Sequence, residues 1–362
     1  MERICAITTG RWDYSHLYWI LKDMQNSNEI DLTIIAAGNH HCIKEIVEEF
    51  GLKSLLMAPS IENIDGYGQF YSYILSILKV YNPDIFLCLG DRYEVHAAAT
   101  AACLLNIPIA HIHGGEETKG SFDNELRNSI TMMSTYHFTA NKRFSDRICN
   151  MKGNMYYEIG TKASNIYTVG APGLDWINRS TLKYIDELKK EIAIDFTKPY
   201  VIGSFNPVTK ELEEIEYQVI EWIAAFNAFD MQTIIILPNI DPGNKKIIDI
   251  IFNCKFTKHT CIVENVNHLT YLSLMKHADL MVGNSSSGII EAASLKLPVV
   301  NIGTRQEGRI MPPNVVNCGY DRESILKAMN SAIVLHSHKV YENPYGDGQS
   351  SRRIVKILED FI

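Results

Sequence analysis

The sequence predicts an α/β protein of two Rossmann-like domains in tandem. Short apolar runs alternate with amphipathic, helix-like stretches along the whole chain. Strands buried on both faces and separated by helices build a parallel sheet. A length of 362 residues suggests two such domains rather than one. Charged and hydroxyl residues gather just past several of the apolar runs. In open parallel sheets those strand ends are where ligands bind, and two domains in tandem leave a cleft between them.

The expected strands of the first half are Ile4–Thr8, Leu32–Ala37, Ile85–Leu89, Ile109–His113 and Tyr136–Thr139. Each is a compact apolar run too short for a helix. Stretches such as SHLYWILKDMQ and GQFYSYILSILKVY between them read as helices. The segment VGAPGLDWINRS closes this half, and a charged helix, TLKYIDELKKEI, follows it. The boundary is therefore expected at 178/179. The second half is expected to hold strands Tyr200–Ser204, Thr233–Leu237, Cys261–Glu264, Leu280–Val282 and Val299–Ile302, with a helix at TYLSLMKHA. A turn, NPYGDG, ends it near residue 345, and 346–362 reads as one amphipathic helix.

Composition narrows the function. A net charge of −8 disfavours nucleic acid or an anionic membrane as the main partner. Eight scattered cysteines without a CxxC pair, several within apolar strands, suit reduced thiols and a cytoplasmic location. The beginning of the chain reads as a first strand rather than a signal peptide, and no apolar run reaches the ~18 residues of a membrane span. No P-loop is present, and no GxGxxG follows the first strand, which disfavours nucleotide-triphosphate hydrolysis and nicotinamide chemistry.

The most informative stretch is MVGNSSSGIIEAASLKLPVVNIGTRQEGR, residues 281–309. It reads as a strand, a polar turn from Gly283 to Ser287, a helix from Gly288 to Leu295 and a second strand. The turn places Ser285, Ser286 and free backbone N–H groups at a helix N-terminus, which suits a phosphate. Glu291, a turn later, is placed to grip ribose hydroxyls, and Arg305 and Arg309 to balance diphosphate charge. The plainer reading is a capped βαβ unit whose serines only satisfy the helix end.

Three strand ends in the first domain are polar. Thr8, Arg11, Asp13 and Tyr14 follow the first. Asp91 and Arg92 follow IFLCLG; Asp91 suits an acid or base held by Arg92, or else a cap on the next helix. Residues two apart on a strand share a face, so His111 and His113 are expected to project together, with Gly114 and Gly115 bringing backbone close to a ligand and Glu116 just beyond. Ser121, Asp123, Glu125 and Arg127 then open a helix. This grouping reads as an acid–base site, with a metal site and simple caps as rivals.

These motifs together resemble the hydrolysing UDP-N-acetylglucosamine 2-epimerases of bacterial sialic acid and legionaminic acid pathways. The resemblance runs over nearly the whole chain. It is carried by TGRWDY, LGDRYE, HIHGGEETKGSFDNELRNSITMMSTYHF, PNIDPG, VGNSSSGIIEA, NIGTRQEGR and NPYGDG. It implies a glycosyltransferase-B-like fold with a UDP-sugar in the cleft, a C-terminal helix crossing back onto the first domain, no cofactor or metal, and a homodimer. It places Ser285, Ser286 and Glu291 on the diphosphate and ribose, Arg305 and Arg309 near the nucleotide, and Arg11 near the diphosphate. Asp91 and His113 fall at acid–base positions, with Glu116 and Asp123 at further active-site positions and His137 at a motif histidine. Arg92 joins the binding set.

Three departures from the family pattern are visible. Asn206 stands where many relatives have a histidine, Asp123-Asn124 replaces a double acid, and Trp12 adds an indole to the first motif. They favour UDP-2,4-diacetamido-2,4,6-trideoxyglucose over UDP-GlcNAc as substrate, the plainer reading being neutral drift among active-site neighbours that leaves UDP-GlcNAc the substrate. The rival activities are a non-hydrolysing epimerase, a glycosyltransferase and a catalytically inert nucleotide-sugar binder.

Overall fold

The computed structural model describes residues 1–37, 43–51, 55–59, 64–118, 123–153, 165–238, 242–264, 266–336 and 341–361. Cys42, Ser121 and the centre of PNIDPG lie outside the described residues. The chain divides into two units. The first comprises Met1–Glu116, Asp123–Asn178 and Tyr345–Ile362; the second is built on Arg179–Pro344.

The first unit holds strands β1 (Glu2–Thr8), β2 (Ile30–Ala36), β3 (Leu55–Met57), β4 (Ile85–Leu89), β5 (Ile109–Ile112), β6 (Tyr136–Thr139) and β7 (Ile166–Thr168). They form one sheet in the order β3-β2-β1-β4-β5-β6-β7. Every described pairing is parallel. The helices are α1 (Arg11–Gln25), α2 (Ile43–Phe50), α3 (Tyr67–Tyr81), α4 (Tyr93–Leu104), α5 (Asp123–Met133), α6 (Lys142–Lys152) and α7 (Asp175–Arg179). The two faces of β1 show why its run is continuously apolar. Ile4 and Ala6 join the core formed with Leu17 and Ile20 of α1, whereas Cys5 and Ile7 join the opposite core with Phe70 of α3 and Ala98 of α4. The C-terminal helix 350–359 also belongs to this unit: Ile354, Val355 and Leu358 pack into the α1 side. Its first turn is held by Asp175, which accepts from the Ser350 and Ser351 amides at 3.0 and 2.7 Å.

The second unit repeats the plan. Its strands are β8 (Tyr200–Ser204), β9 (Gln232–Ile236), β10 (Thr260–Val263), β11 (Leu280–Gly283), β12 (Val299–Ile302) and β13 (Val315–Cys318), in the order β10-β9-β8-β11-β12-β13. Its helices are α8 (Ile185–Leu188), α9 (Ile215–Ala228), α10 (Asn244–Asn253), α11 (His268–His277), α12 (Ser287–Ile290) and α13 (Arg322–His336), and helix 350–359 becomes α14. Val201, Ile235, Val282 and Val300 of the sheet close over Trp222 of α9 and Met329 of α13.

All ten expected strands are present, with ends shifted by up to two residues. The sequence reading missed β3, β7 and β13. They are three or four residues long, lie at sheet edges and are largely only half-buried, so their apolar runs are too short to read as strands. The helix expected from Gly288 to Leu295 is also corrected. Only Ser287–Ile290 is helical; beyond it Ser294 N and Lys296 N bond three residues back, and Pro298 prevents continuation.

Candidate functional site

In both sheets the strand order reverses direction between two neighbours: β1 and β4 in the first, β8 and β11 in the second. Ligands of open α/β sheets bind just past such a switch point. The residues there are Thr8–Arg11 and Gly90–Arg92 in the first unit, and Ser204–Asn206 and Gly283–Ser286 in the second.

In the first unit, Asp13 organises the tip of β1. Its carboxylate accepts from the Thr9, Gly10 and Tyr14 amides at 2.5, 2.8 and 2.9 Å and from the Thr9 hydroxyl at 2.8 Å. These bonds assign Asp13 to shaping the turn. Arg11, the first residue of α1, makes no ion pair with another described residue. Trp12 lies over the ring of His16 at 4.4 Å, and His16 meets the His113 ring edge-on at 5.8 Å.

Asp91 follows β4, but its partner is not Arg92. It pairs with the guanidinium of Arg127 on α5, whereas Arg92 pairs with Glu94 at 3.1 Å. Arg92 is itself the N-cap of α4, so Asp91 does not cap that helix. Arg127 also donates to the Glu116 carbonyl at 2.9 Å and to Asn124 Oδ1 at 3.2 Å. Burial opposes its charge, but Asp91, Glu116 and Asp123 outweigh that and hold it fully protonated. Arg147 of α6 adds bonds to the Gly115 and Glu116 carbonyls at 3.1 and 3.0 Å. Asp123 is the first residue of α5, one turn before Arg127.

The paired-histidine expectation fails. Strand β5 ends at Ile112, and His113 has a left-handed backbone with φ of 64°. Alternation along a strand therefore does not reach it. His111 is a core residue. Its Nε2 lies 2.8 Å from the Gly90 carbonyl, which can only accept, so Nε2 carries the proton and Nδ1 takes the Thr131 hydroxyl at 3.2 Å. Burial pushes its pKa down to about 4. His113 Nδ1 instead meets the Glu116 carboxylate at 2.5 Å. The glycines serve internal packing: a Cβ on Gly115 would come within 2.5 Å of the Phe144 carbonyl, and one on Gly114 within 3.0 Å of the His111 ring. His137 lies beside His111 in the sheet with no exposure, and burial holds it neutral.

In the second unit the switch point is locked by Asn284. Its side chain accepts from the Asn206 amide at 2.7 Å and donates to the Asn206 carbonyl at 2.8 Å, tying the ends of β8 and β11 together. Gly283 makes this possible: a Cβ there would lie 1.9 Å from the Ser204 carbonyl oxygen. The Asn284 carbonyl takes Arg305 at 3.1 Å and Gln306 at 2.8 Å, which draws the 301–309 loop onto the turn. Ser286 makes no side-chain cap bond, and Ser285 reaches the Ser287 amide only at 3.4 Å. With α12 only four residues long, what this turn offers an anion is its amides and hydroxyls more than a helix dipole. Glu291 is buried, and desolvation lifts its carboxyl to about 7 against the opposing pull of Arg309.

Sequence reasoning missed the roles of Arg127, Arg147, Asn284 and Gln306. Arg127 was visible one turn after Asp123, but its partner Asp91 is 36 residues away.

Two Rossmann-ordered parallel sheets with polar switch points define a glycosyltransferase-B-like α/β protein. A solved Neisseria meningitidis UDP-GlcNAc 2-epimerase bound to UDP-GlcNAc shares this fold, with a TM-score of 0.78, 16% identity and coverage of 99% of this chain and 100% of that one. The family model for UDP-N-acetylglucosamine 2-epimerase matches residues 22–359, and the chain belongs to that family. A Legionella pneumophila hydrolysing UDP-N,N'-diacetylbacillosamine 2-epimerase is 32% identical over 99% of this chain and 96% of its own. A Campylobacter jejuni hydrolysing GDP/UDP-N,N'-diacetylbacillosamine 2-epimerase is 28% identical over 87% and 84%.

Proposed function

We propose that the protein is a hydrolysing 2-epimerase. It converts a UDP-2-acetamido sugar to UDP and the free sugar epimerised at C2. The observation that carries the reading is a carboxylate and an imidazole past the ends of the neighbouring strands β4 and β5 of one unit: Asp91 anchored by Arg127, and His113 anchored by Glu116. Family membership and the hydrolysing relatives supply the reaction class.

A base removes the C2 proton, the diphosphate leaves C1 and a glycal forms. Water then adds at C1 while a proton returns to C2 from the other face. Two proton carriers in distinct surroundings suit this sequence. Asp91 and His113 are that pair, with Asp123 orienting the sugar. Expelled UDP needs stabilisation of its developing charge, which Ser285, Ser286, Arg305, Arg309 and Arg11 provide. Asn206 and Glu291 hold the nucleoside side, and Arg92 borders the diphosphate. The chemistry needs neither metal nor cofactor.

The substrate we favour is the 2,4-diacetamido-trideoxy sugar, on the strength of Asn124, Asn206 and Trp12 and of the relatives' names. The scattered cysteines fit a cytoplasmic enzyme, and the family resemblance a homodimer in sialic or legionaminic acid synthesis. Among the described residues no helix is long and apolar enough to cross a membrane. The test is incubation with UDP-GlcNAc and with UDP-2,4-diacetamido-2,4,6-trideoxyglucose, with products identified by NMR. UDP and a free manno-configured sugar are expected. A product still bearing UDP identifies a non-hydrolysing epimerase instead.

A further inference from the structure

We infer that Glu116 is a positioning residue whose carboxylate fixes the proton of His113 on Nδ1, leaving Nε2 as the atom that accepts the sugar's C2 proton. This rests on the epimerase reading for its chemical step, but not for its geometry. The Nδ1–Oε1 distance is 2.5 Å, and His113 and Glu116 are 5% and 2% exposed. An ionised carboxylate only accepts hydrogen bonds, so the hydrogen between the two groups sits on Nδ1 in the neutral ring. The lone pair then lies on Nε2. That nitrogen is buried without a hydrogen-bond partner among the described residues, a cost in stability that a lone pair held ready for a proton explains.

The backbone is arranged to present it. His113 holds its left-handed φ of 64° while its amide bonds the Phe138 carbonyl at 3.1 Å. A non-glycine residue in that region is a strained one, and such strain gathers at functional positions. The Glu116 backbone is pinned by two guanidiniums, Arg127 from α5 and Arg147 from α6. The groups facing the pair are His16 on α1, edge-on at 5.8 Å, His111 on β5, and Asp91 past β4 through Arg127. The family resemblance put Glu116 among the active-site positions; its contact with the ring makes it act through His113.

The resulting step is balanced. Nε2 takes the C2 proton, the C2–H electron pair becomes the C1–C2 double bond, and the C1–O pair leaves with the UDP oxygen. The proton stays on the imidazolium. The same logic, in which a carboxylate fixes the tautomer of an imidazole base, governs serine hydrolases.

The test uses full-length protein labelled with ¹⁵N in histidine, without substrate, the His113 signals being assigned by their loss in His113→Gln. Wild type should show a single Nδ1–H tautomer, and Glu116→Gln should populate the other, because an amide can also donate to Nδ1. Glu116→Gln should lower kcat by about 100-fold with little change in KM. An Nε2–H tautomer in wild type overturns the inference, as does wild-type kcat in Glu116→Gln. Should the variant fail to fold, the wild-type spectrum alone decides. Absence of turnover by wild type on either sugar nucleotide would strike the epimerase reading and leave the tautomer result standing.

Discussion

Replacing Arg127 by Met, Asp91 by Asn, and both together, tests whether one guanidinium ties Asp91 to the scaffold. Arg127 is 4% exposed at its side chain and Asp91 19%. Removing one partner of a buried pair costs about 3–5 kcal/mol. Here water reaches Asp91, and Arg147 still serves the Glu116 carbonyl at 3.0 Å. Part of the loss is recovered, and Arg127→Met should cost about 2–3 kcal/mol. Asp91→Asn keeps an acceptor but removes the first of the three carboxylates that support the buried cation, for about 1.5–3 kcal/mol. The double variant strands neither charge, so its cost should fall at least about 1 kcal/mol short of the sum. Urea unfolding of the four proteins reads these values if the m-values agree. Additivity within about 0.3–0.5 kcal/mol refutes the tether. In the same set, Asp91→Asn should bind UDP but lose about 10²–10⁴-fold in turnover; turnover close to wild type removes Asp91 from the chemistry.

Ser286→Ala and Arg309→Ala should each weaken UDP binding by about 1.5–3 kcal/mol, the worth of a hydrogen bond to a charged group; unchanged affinity in calorimetry places the nucleotide elsewhere. His111, depressed from 6.5 to about 4 by burial, contributes stability that is full above about pH 6.5 and lost as pH falls through about 4, because only the unfolded chain takes up that proton in the interval. His111→Gln should lessen the slope of the unfolding free energy across this window, where His268 and His137 are depressed too, and an unaltered slope counts against the assignment. EDTA should leave activity intact; inactivation reversed by Zn²⁺, Mn²⁺ or Mg²⁺ would restore the metal reading. The diacetamido-trideoxy substrate should show the higher kcat/KM, since a 6-methyl and a second acetamido group ask for apolar contact and neutral donors; equal or better use of UDP-GlcNAc defeats that preference.

The fold class was legible in the residues, because strands buried on both faces, such as IFLCLG, leave an unbroken apolar record between amphipathic helices. So was the list of polar strand ends, since Gly90-Asp91-Arg92 and Gly283-Asn284-Ser285 interrupt such runs abruptly. Three of the four edge strands, β3, β7 and β13, left no readable record, since half-exposed segments of three or four residues need no continuous apolar pattern. What only the tertiary structure decided is which groups meet. Chain proximity offered Arg92 to Asp91, yet Arg127 holds it from another helix. Strand alternation offered His111 as the companion of His113, yet the strand stops one residue early and a left-handed turn sends one ring into the core and the other to Glu116. Ion pairs and tautomers are set by distances of a few ångströms between residues tens of positions apart, and a linear pattern carries no measure of those distances.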